Sequence, residues 1–93
     1  MTTDPPGDLR GRRLRRAAMA VLLEAGRPLT VGQILSAVER LHGPVPGPLP
    51  HKLMADALGW EVQRGWAVRV ARGTYAVGTI SPTSRWRLLN QAV

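Results

Sequence analysis

Five arginines stand close together near the start of the chain, in the segment LRGRRLRR. They are Arg10, Arg12, Arg13, Arg15 and Arg16. A guanidinium group keeps its charge, and its planar fork can bind a phosphate through two hydrogen bonds. A run of charges is usually a solvated face, but these five repel one another and stand at the positive end of a predicted helix, which disfavours cations. Because a phosphate backbone would relieve both costs, the cluster predicts an arm that contacts DNA.

A second basic feature is the stretch GWAVRVARGTYAVG, Gly65 to Gly78. Two short β-branched runs flank a turn, and Gly73 supplies the positive φ that a short hairpin loop needs. Arg72 then stands at the tip, and Arg69 stands beside Ala67 on the outer face of the hairpin. The alternation predicts one apolar face made of Trp66, Val68, Val70, Tyr75 and Val77. The two arginines either contact nucleic acid or guard an edge strand as solubilising charges, and the charge excess of the chain favours contact.

The composition of the whole chain limits what it can do. Ninety-three residues are enough for one domain. Thirteen Lys and Arg against six Asp and Glu give a formal charge of +7 and an isoelectric point near 11.7. A domain this basic usually binds a polyanion. With no cysteine, no signal peptide and no run of membrane-spanning length, the chain is predicted to be cytoplasmic, without disulfides and without membrane contact.

The sequence shows no pattern typical of an enzyme. His42 and His51 are separated by a proline loop and have no third ligand at metal spacing. Asp56 and Glu61 are predicted on different faces of one helix, so they do not form a paired carboxylate site. A nucleophile–base set and a glycine-rich phosphate loop are both missing. We therefore expect no catalytic activity, no metal and no cofactor.

The hydrophobic pattern divides the chain into helices and short strands. Residues 1–8 contain Pro, Gly and Asp without periodicity and predict a disordered lead-in. Apolar residues then recur at helical spacing, at Leu14, Ala17, Ala18, Val21, Leu22 and Ala25. After a strand stub, Thr30 and Gln33 predict a capping box at the start of a second helix. A proline-rich loop, a third helix opened by Pro50, the hairpin and a short helix within 81–93 complete the order.

The third predicted helix carries side chains suited to contacts with DNA. His51, Lys52 and Gln63 can donate to phosphates or base edges, and Ala55 is a small neighbour on the same face. The apolar side is predicted to hold Leu53, Met54, Ala57, Leu58 and Trp60. Glu61 falls near the middle of that side, where it either pairs with an arginine of another element or marks a fraying helix. Because the outer face lacks the Arg or Asn pair that commonly reads bases, we expect modest sequence discrimination.

The order of elements resembles a winged helix-turn-helix domain over about residues 12–78. The resemblance rests on AGRPLTVGQILSAVER and ADALGWEVQRGWAVRVARGTYAVG. The combination GRPLT…GTYAV is most similar to HARE-HTH domains, found in bacterial RNA polymerase accessory subunits and in DNA-modifying or restriction systems. It implies an α+β fold with a three-helix core and a C-terminal β-hairpin wing in 9–80, plus a short helix in 81–93. It also implies that the third helix enters the major groove, while Arg69 and Arg72 meet phosphates or a narrow minor groove.

These observations favour a double-stranded DNA-binding protein, either a transcription regulator or a nucleoid-associated protein. Further surface candidates for backbone contacts are Arg27, Ser36 and Arg40. The alternative is a protein-interaction module, such as an RNA polymerase accessory factor, which would need an acidic partner surface. Trp86, Leu88 and Leu89 in the last helix are then a protein contact, a dimer seam or a lid on the first helix.

Overall fold

The computed structural model describes residues 9–91, which form four helices and one three-stranded antiparallel sheet. The helices are α1 (Gly11–Ala25), α2 (Val31–His42), α3 (Pro50–Gln63) and α4 (Pro82–Gln91), and the strands are β1 (Leu29–Thr30), β2 (Ala67–Ala71) and β3 (Thr74–Val77). The α+β class and the order of elements are confirmed. The predictions for residues 1–8 and for residues 92–93 lie outside the described part of the chain.

Helix α1 buries the stripe that its sequence predicts. Its buried residues are Leu14, Ala17, Ala18, Met19, Val21 and Leu22. Gly26 ends the helix in the left-handed conformation, with φ 64°, and its N–H donates to the Leu22 carbonyl at 3.1 Å. The helix begins without a side-chain cap and without an acidic residue in its first turn. The positive end of α1 is therefore left with arginines around it.

Helix α2 begins with the predicted capping box. The Gln33 N–H donates to Thr30 Oγ1 at 3.1 Å, and the Thr30 N–H donates to Gln33 Oε1 at 2.9 Å. Two backbone donors at the start of the helix are satisfied in this way. The strand before it, β1, pairs with β3 through Leu29 and Tyr75. The start of α2 is thus attached to the sheet.

The strands lie in the order β1-β3-β2, and their pairing corrects the predicted faces of the hairpin. Ala67 pairs with Val77 and Arg69 with Tyr75, and residues directly opposite each other share a face. The prediction that Tyr75 and Val77 join Val68 and Val70 is therefore wrong. Side chains of Val68 and Val70 are instead exposed. The alternation alone could not decide this, because a register shift of one residue exchanges the two faces of a strand.

The core corrects a second expectation, on α3. Its buried positions are Met54, Ala57, Leu58 and Glu61, which follow one helical stripe. Trp60, predicted on the apolar side, lies outside that stripe and its side chain is 60 % exposed. Because the helix continues to Gln63, Glu61 is not in a fraying end. Within residues 9–91, Glu61 is the one charged residue whose side chain is buried.

The residues that follow β3 are hydrogen-bonded to the residues that connect α3 to β2. The Gly78 N–H donates to the Trp66 carbonyl at 2.7 Å, and the Thr79 N–H donates to the Gly65 carbonyl at 2.8 Å. Ser81 then caps α4 by accepting from the Ser84 N–H at 3.2 Å. Helix α4 packs on α1. Within residues 9–91, no helix has both the length and the apolar character needed to cross a membrane.

Candidate nucleic-acid interface

Five arginines from three parts of the chain surround one concavity of about 610 Å³. We call it the arginine pocket, and its lining residues are Arg12, Arg15, Arg16, Arg64, Trp66, Ser84, Arg87 and Leu88. The first half of α1 forms one wall, the segment between α3 and β2 a second, and α4 a third. Leu88 is buried and attaches α4 to the hydrophobic core. The pocket therefore depends on how α4 packs on α1.

The predicted arginine arm divides into two groups. Arg12, Arg15 and Arg16 are three and four residues apart, a spacing that brings side chains to one side of a helix. Arg10 and Arg13 are exposed but do not line the pocket. Three of the five predicted arginines thus share one concave site.

A buried carboxylate lies beneath these arginines. Glu61 is 1 % exposed, and its Oε2 is 3.6 Å from Arg64 Nη1 and 3.9 Å from Arg15 Nε. Neither carboxylate oxygen has a hydrogen-bond partner among the described residues. Burial therefore raises the pKa of Glu61 above its usual value of 4.5, although the charges of Arg64 and Arg15 oppose that rise.

Two indole rings lie next to the same arginines. The Cζ atom of Arg64 is 3.9 Å from the centroid of the Trp66 ring, so the guanidinium covers a face of the indole. The Cζ atom of Arg15 is 5.8 Å from the centroid of the exposed Trp60 ring. Both distances fall within the range of a cation–π contact. These contacts hold two of the pocket's guanidinium groups in defined positions.

The predicted contact residues of α3 lie along its surface. Lys52 donates to Asp56 Oδ2 at 3.1 Å, and both side chains are more than 60 % exposed. His51 and Gln63 are exposed at opposite ends of the helix, whereas Ala55 is half-buried against the core. None of these residues lines the arginine pocket. The α3 face is therefore a separate surface, and its single lysine already has an anionic partner.

The hairpin brings its two arginines to different positions. Arg72 is exposed in the two-residue loop with Gly73, whose φ is 66° as predicted. The Gly73 carbonyl accepts from the Val31 N–H at 3.0 Å, so the tip lies at the start of α2. Arg69 lies in the middle of β2 and is the cross-strand partner of Tyr75 in β3, so the two residues share a face of the sheet. The side chain of Arg69 is exposed, whereas Tyr75 is buried.

The hairpin tip and the arginine pocket lie toward opposite ends of α1. The tip contacts the start of α2, which follows the last residue of α1 after a short connection. The pocket instead uses residues from the first half of α1. A helix of 15 residues is about 22 Å long. Because Arg72 does not line the pocket, the arginines of α1 and those of the hairpin do not form one site.

Sequence reasoning missed two of the pocket's arginines. Arg64 follows the last residue of α3, and Arg87 precedes the buried Leu88. The sequence offered a lid on the first helix as one role of the last helix, and α4 does pack on α1, but that interpretation assigned no role to Arg87. One sequence feature could have indicated Arg87. It stands next to Leu88, an apolar residue of a short helix that needs tertiary packing to be stable.

A second cavity, of about 1,060 Å³, lies between α1 and α2. Arg27, Ser36 and Arg40 line it together with apolar residues such as Leu41 and Leu89. In residues 9–91, no group of three or more His, Asp and Glu side chains could hold a metal ion. Compared with protein-family models, with curated proteins and with solved structures, the chain matches none of them.

Proposed function

We propose that the protein binds double-stranded DNA. The observation that carries the proposal is the arginine pocket, where three separate segments bring five guanidinium groups to one concave surface. Arg12, Arg16 and Arg87 form no ion pair with any residue in 9–91, so their charges remain available to a partner. With a net charge of +7, a phosphate backbone is the partner that best balances these groups.

We further propose that the chain is a winged helix-turn-helix domain. The order of its elements and the strand order β1-β3-β2 support this fold, and the hairpin is then the wing. The length of α1, about 22 Å, corresponds to between six and seven base pairs of duplex at about 3.4 Å each. A duplex lying along α1 would therefore need at least this length to extend from the arginine pocket to the far end of the helix. Such a protein would act as a transcription regulator or as a nucleoid-associated protein in the cytoplasm.

Titration of a fluorescent 20-base-pair duplex at several salt concentrations tests the proposal. If all five pocket arginines contact phosphates, log K falls with log salt at a slope of about −4.5. The variant Arg16→Gln/Arg87→Gln should reduce the slope by about 2. Arg85→Gln removes an exposed arginine that does not line the pocket, and it serves as the control. An absence of saturable binding at low salt would refute the proposal.

A contact with another protein is the second candidate, and the apolar surface of α4 favours it. Trp86 is exposed on this helix and Leu89 partly so, whereas Leu88 is buried against the core. A second copy of the chain is the simplest partner for this surface. Sedimentation at several concentrations tests this contact. A dimer seam requires an average mass that rises with protein concentration, and Trp86→Ser should abolish that rise.

A further inference from the structure

The arginine pocket has an excess of positive charge for its size. Five arginines line it, and no acidic residue does. Within residues 9–91, the carboxylate that pairs with pocket arginines is that of Glu61, which lies within 4 Å of Arg15 and Arg64 and leaves a formal excess of four charges. Like charges gathered around one concavity repel one another, although solvent screens part of this repulsion because four of the five side chains are exposed. A bound anion with several charges would remove this repulsion.

The shape of the pocket favours a small ligand over a duplex alone. Its volume of about 610 Å³ lies within the range of small-molecule sites, roughly 300 to 1,000 Å³. The phosphates of a duplex lie on a convex surface, so they can reach the exposed arginines of the pocket but do not fill the concavity. A compact chain of phosphates can enter it and reach guanidinium groups on all three walls. Each wall can then donate paired hydrogen bonds to phosphate oxygens.

The aromatic wall of the pocket suits the base of a nucleotide. Trp66 lines the concavity, and Arg64 is stacked on its ring at 3.9 Å. A guanidinium stacked on an indole gives a flat surface on which a purine or pyrimidine can stack. Ser84 adds a hydroxyl group on the wall formed by α4. The arginine pocket therefore combines guanidinium groups for phosphates with an aromatic surface for a base.

We propose that the arginine pocket is a binding site for a compact polyphosphate, either a nucleoside triphosphate or inorganic tripolyphosphate. The inference goes beyond DNA binding and does not require it. The phosphate chain lies among Arg12, Arg16 and Arg87, which have no ion-pair partner within residues 9–91. Arg15 and Arg64, oriented by Glu61 and by the two indoles, complete the cage.

Isothermal titration calorimetry in 150 mM NaCl tests this site with three probes: adenosine triphosphate, inorganic tripolyphosphate and orthophosphate. We expect one site per chain, with tripolyphosphate binding at least about tenfold more tightly than orthophosphate. Equal affinities for the triphosphate and tripolyphosphate would assign the site to the phosphates. Tighter binding of the triphosphate, with a change in tryptophan fluorescence, would add stacking of the base on the surface formed by Arg64 and Trp66.

Two matched double variants separate the pocket from general charge attraction. Arg12→Gln/Arg87→Gln removes two pocket arginines, and Arg13→Gln/Arg85→Gln removes two neighbours that do not line it. The first should weaken tripolyphosphate binding at least about tenfold and the second less than about twofold. Arg16→Gln provides a single substitution at an exposed side chain if the double variant unfolds. Equal losses in both double variants, or no binding by the wild type, would overturn the inference, whereas duplex binding could persist.

Discussion

Oε2 of Glu61 lies 3.6 Å from Nη1 of Arg64, and this contact joins the buried side of α3 to the wall of the arginine pocket. The carboxylate is 1 % exposed and accepts no hydrogen bond from the described residues. Two guanidinium groups at 3.6 and 3.9 Å offset part of the desolvation cost, but not all of it, since the pKa of Glu61 is raised. The folded protein therefore holds a proton on this residue more readily than the unfolded chain does.

The raised pKa of Glu61 predicts how stability depends on pH. Between the ordinary value of 4.5 and the higher pKa of the folded state, the folded chain binds more protons at this site than the unfolded chain. The stability that this extra proton binding gives to the folded state is fully present below pH 4.5. It is lost as the pH rises through the pKa of the folded state. Urea unfolding of the wild type and of Glu61→Gln, from pH 4 to pH 8, measures it. As the pH rises from 4 to 8, the free energy of unfolding of Glu61→Gln should increase relative to that of the wild type. The increase should be about 1.4 kcal/mol for each unit by which folding raises the pKa.

A control variant makes this measurement specific to the buried carboxyl group. Asp56→Asn removes an exposed carboxylate from the same helix, where its pair with Lys52 contributes little. We expect a much smaller change with pH for this variant. A difference between Glu61→Gln and the wild type that stays constant from pH 4 to pH 8 would contradict the prediction.

Neutralising Glu61 should also strengthen anion binding. The carboxylate is the negative charge closest to the pocket among the described residues, so Glu61→Gln raises the positive potential there. We expect duplex affinity at pH 7.5 to rise by a factor of about 3 to 10, and less at high salt. Weaker binding by a folded variant would mean instead that Glu61 acts mainly by orienting Arg15 and Arg64.

The elements that the sequence predicted correctly depend on local interactions. The capping box involves Thr30 and Gln33, which are three residues apart, and the left-handed turn at Gly73 follows from a two-residue hairpin loop. The stripe of α1 is likewise set by the period of a single helix. Each of these features can be derived without knowing what packs against what.

The features that the sequence did not predict depend on contacts between distant segments. The faces of β2 follow from its pairing with β3, and the exposure of Trp60 follows from the position of α3 on the core. The arginine pocket requires α4 to pack on α1, which brings Arg87 toward Arg12 although 75 positions separate them in sequence. Periodicity contains no information on such arrangements, so two of the five pocket arginines, Arg64 and Arg87, were found only in the structure.

Removing the cap of α2 should destabilise the fold by about 1 kcal/mol. Thr30→Ala leaves the Gln33 N–H without the acceptor that it has at 3.1 Å. Thermal unfolding monitored by circular dichroism measures the loss. Thr30→Ser keeps a hydroxyl acceptor at this position and should remain close to the wild type. Equal loss in both variants would show that the methyl group of Thr30, and not the hydrogen bond, is responsible.

Two glycines should respond to alanine in opposite directions. A Cβ atom at Gly78 would clash with the carbonyl oxygen of Gly65, which cannot move without breaking its bond to Thr79. A Cβ atom at Gly59, inside α3, would meet nothing within 4 Å. We expect Gly78→Ala to cost about 1 to 3 kcal/mol of unfolding free energy and Gly59→Ala to stabilise by up to about 1 kcal/mol. Urea denaturation of both variants measures this, and the same sign for both would contradict the account.

The α3 face and the arginine pocket should contribute differently to DNA binding. The Lys52–Asp56 pair is exposed on both sides, so it is worth little and can open when DNA approaches. Lys52→Ala/Gln63→Ala should therefore alter the preference between duplex sequences, because base edges are read by such donors. Arg16→Gln/Arg87→Gln should instead weaken binding to every duplex alike, because phosphates carry no sequence information.

Competition gel shifts with random and selected duplexes measure both effects. For the α3 variant, the ratio of the two affinities should move toward one, by the roughly 1 to 3 kcal/mol that a good base contact is worth. For the pocket variant the ratio should stay constant while both affinities fall. The loss relative to the wild type should be largest at low salt and shrink as salt is raised, because fewer phosphate contacts make the salt dependence shallower. If the ratio changes equally in both variants, the two surfaces act as one, and the separation of the α3 face from the arginine pocket has no consequence for recognition.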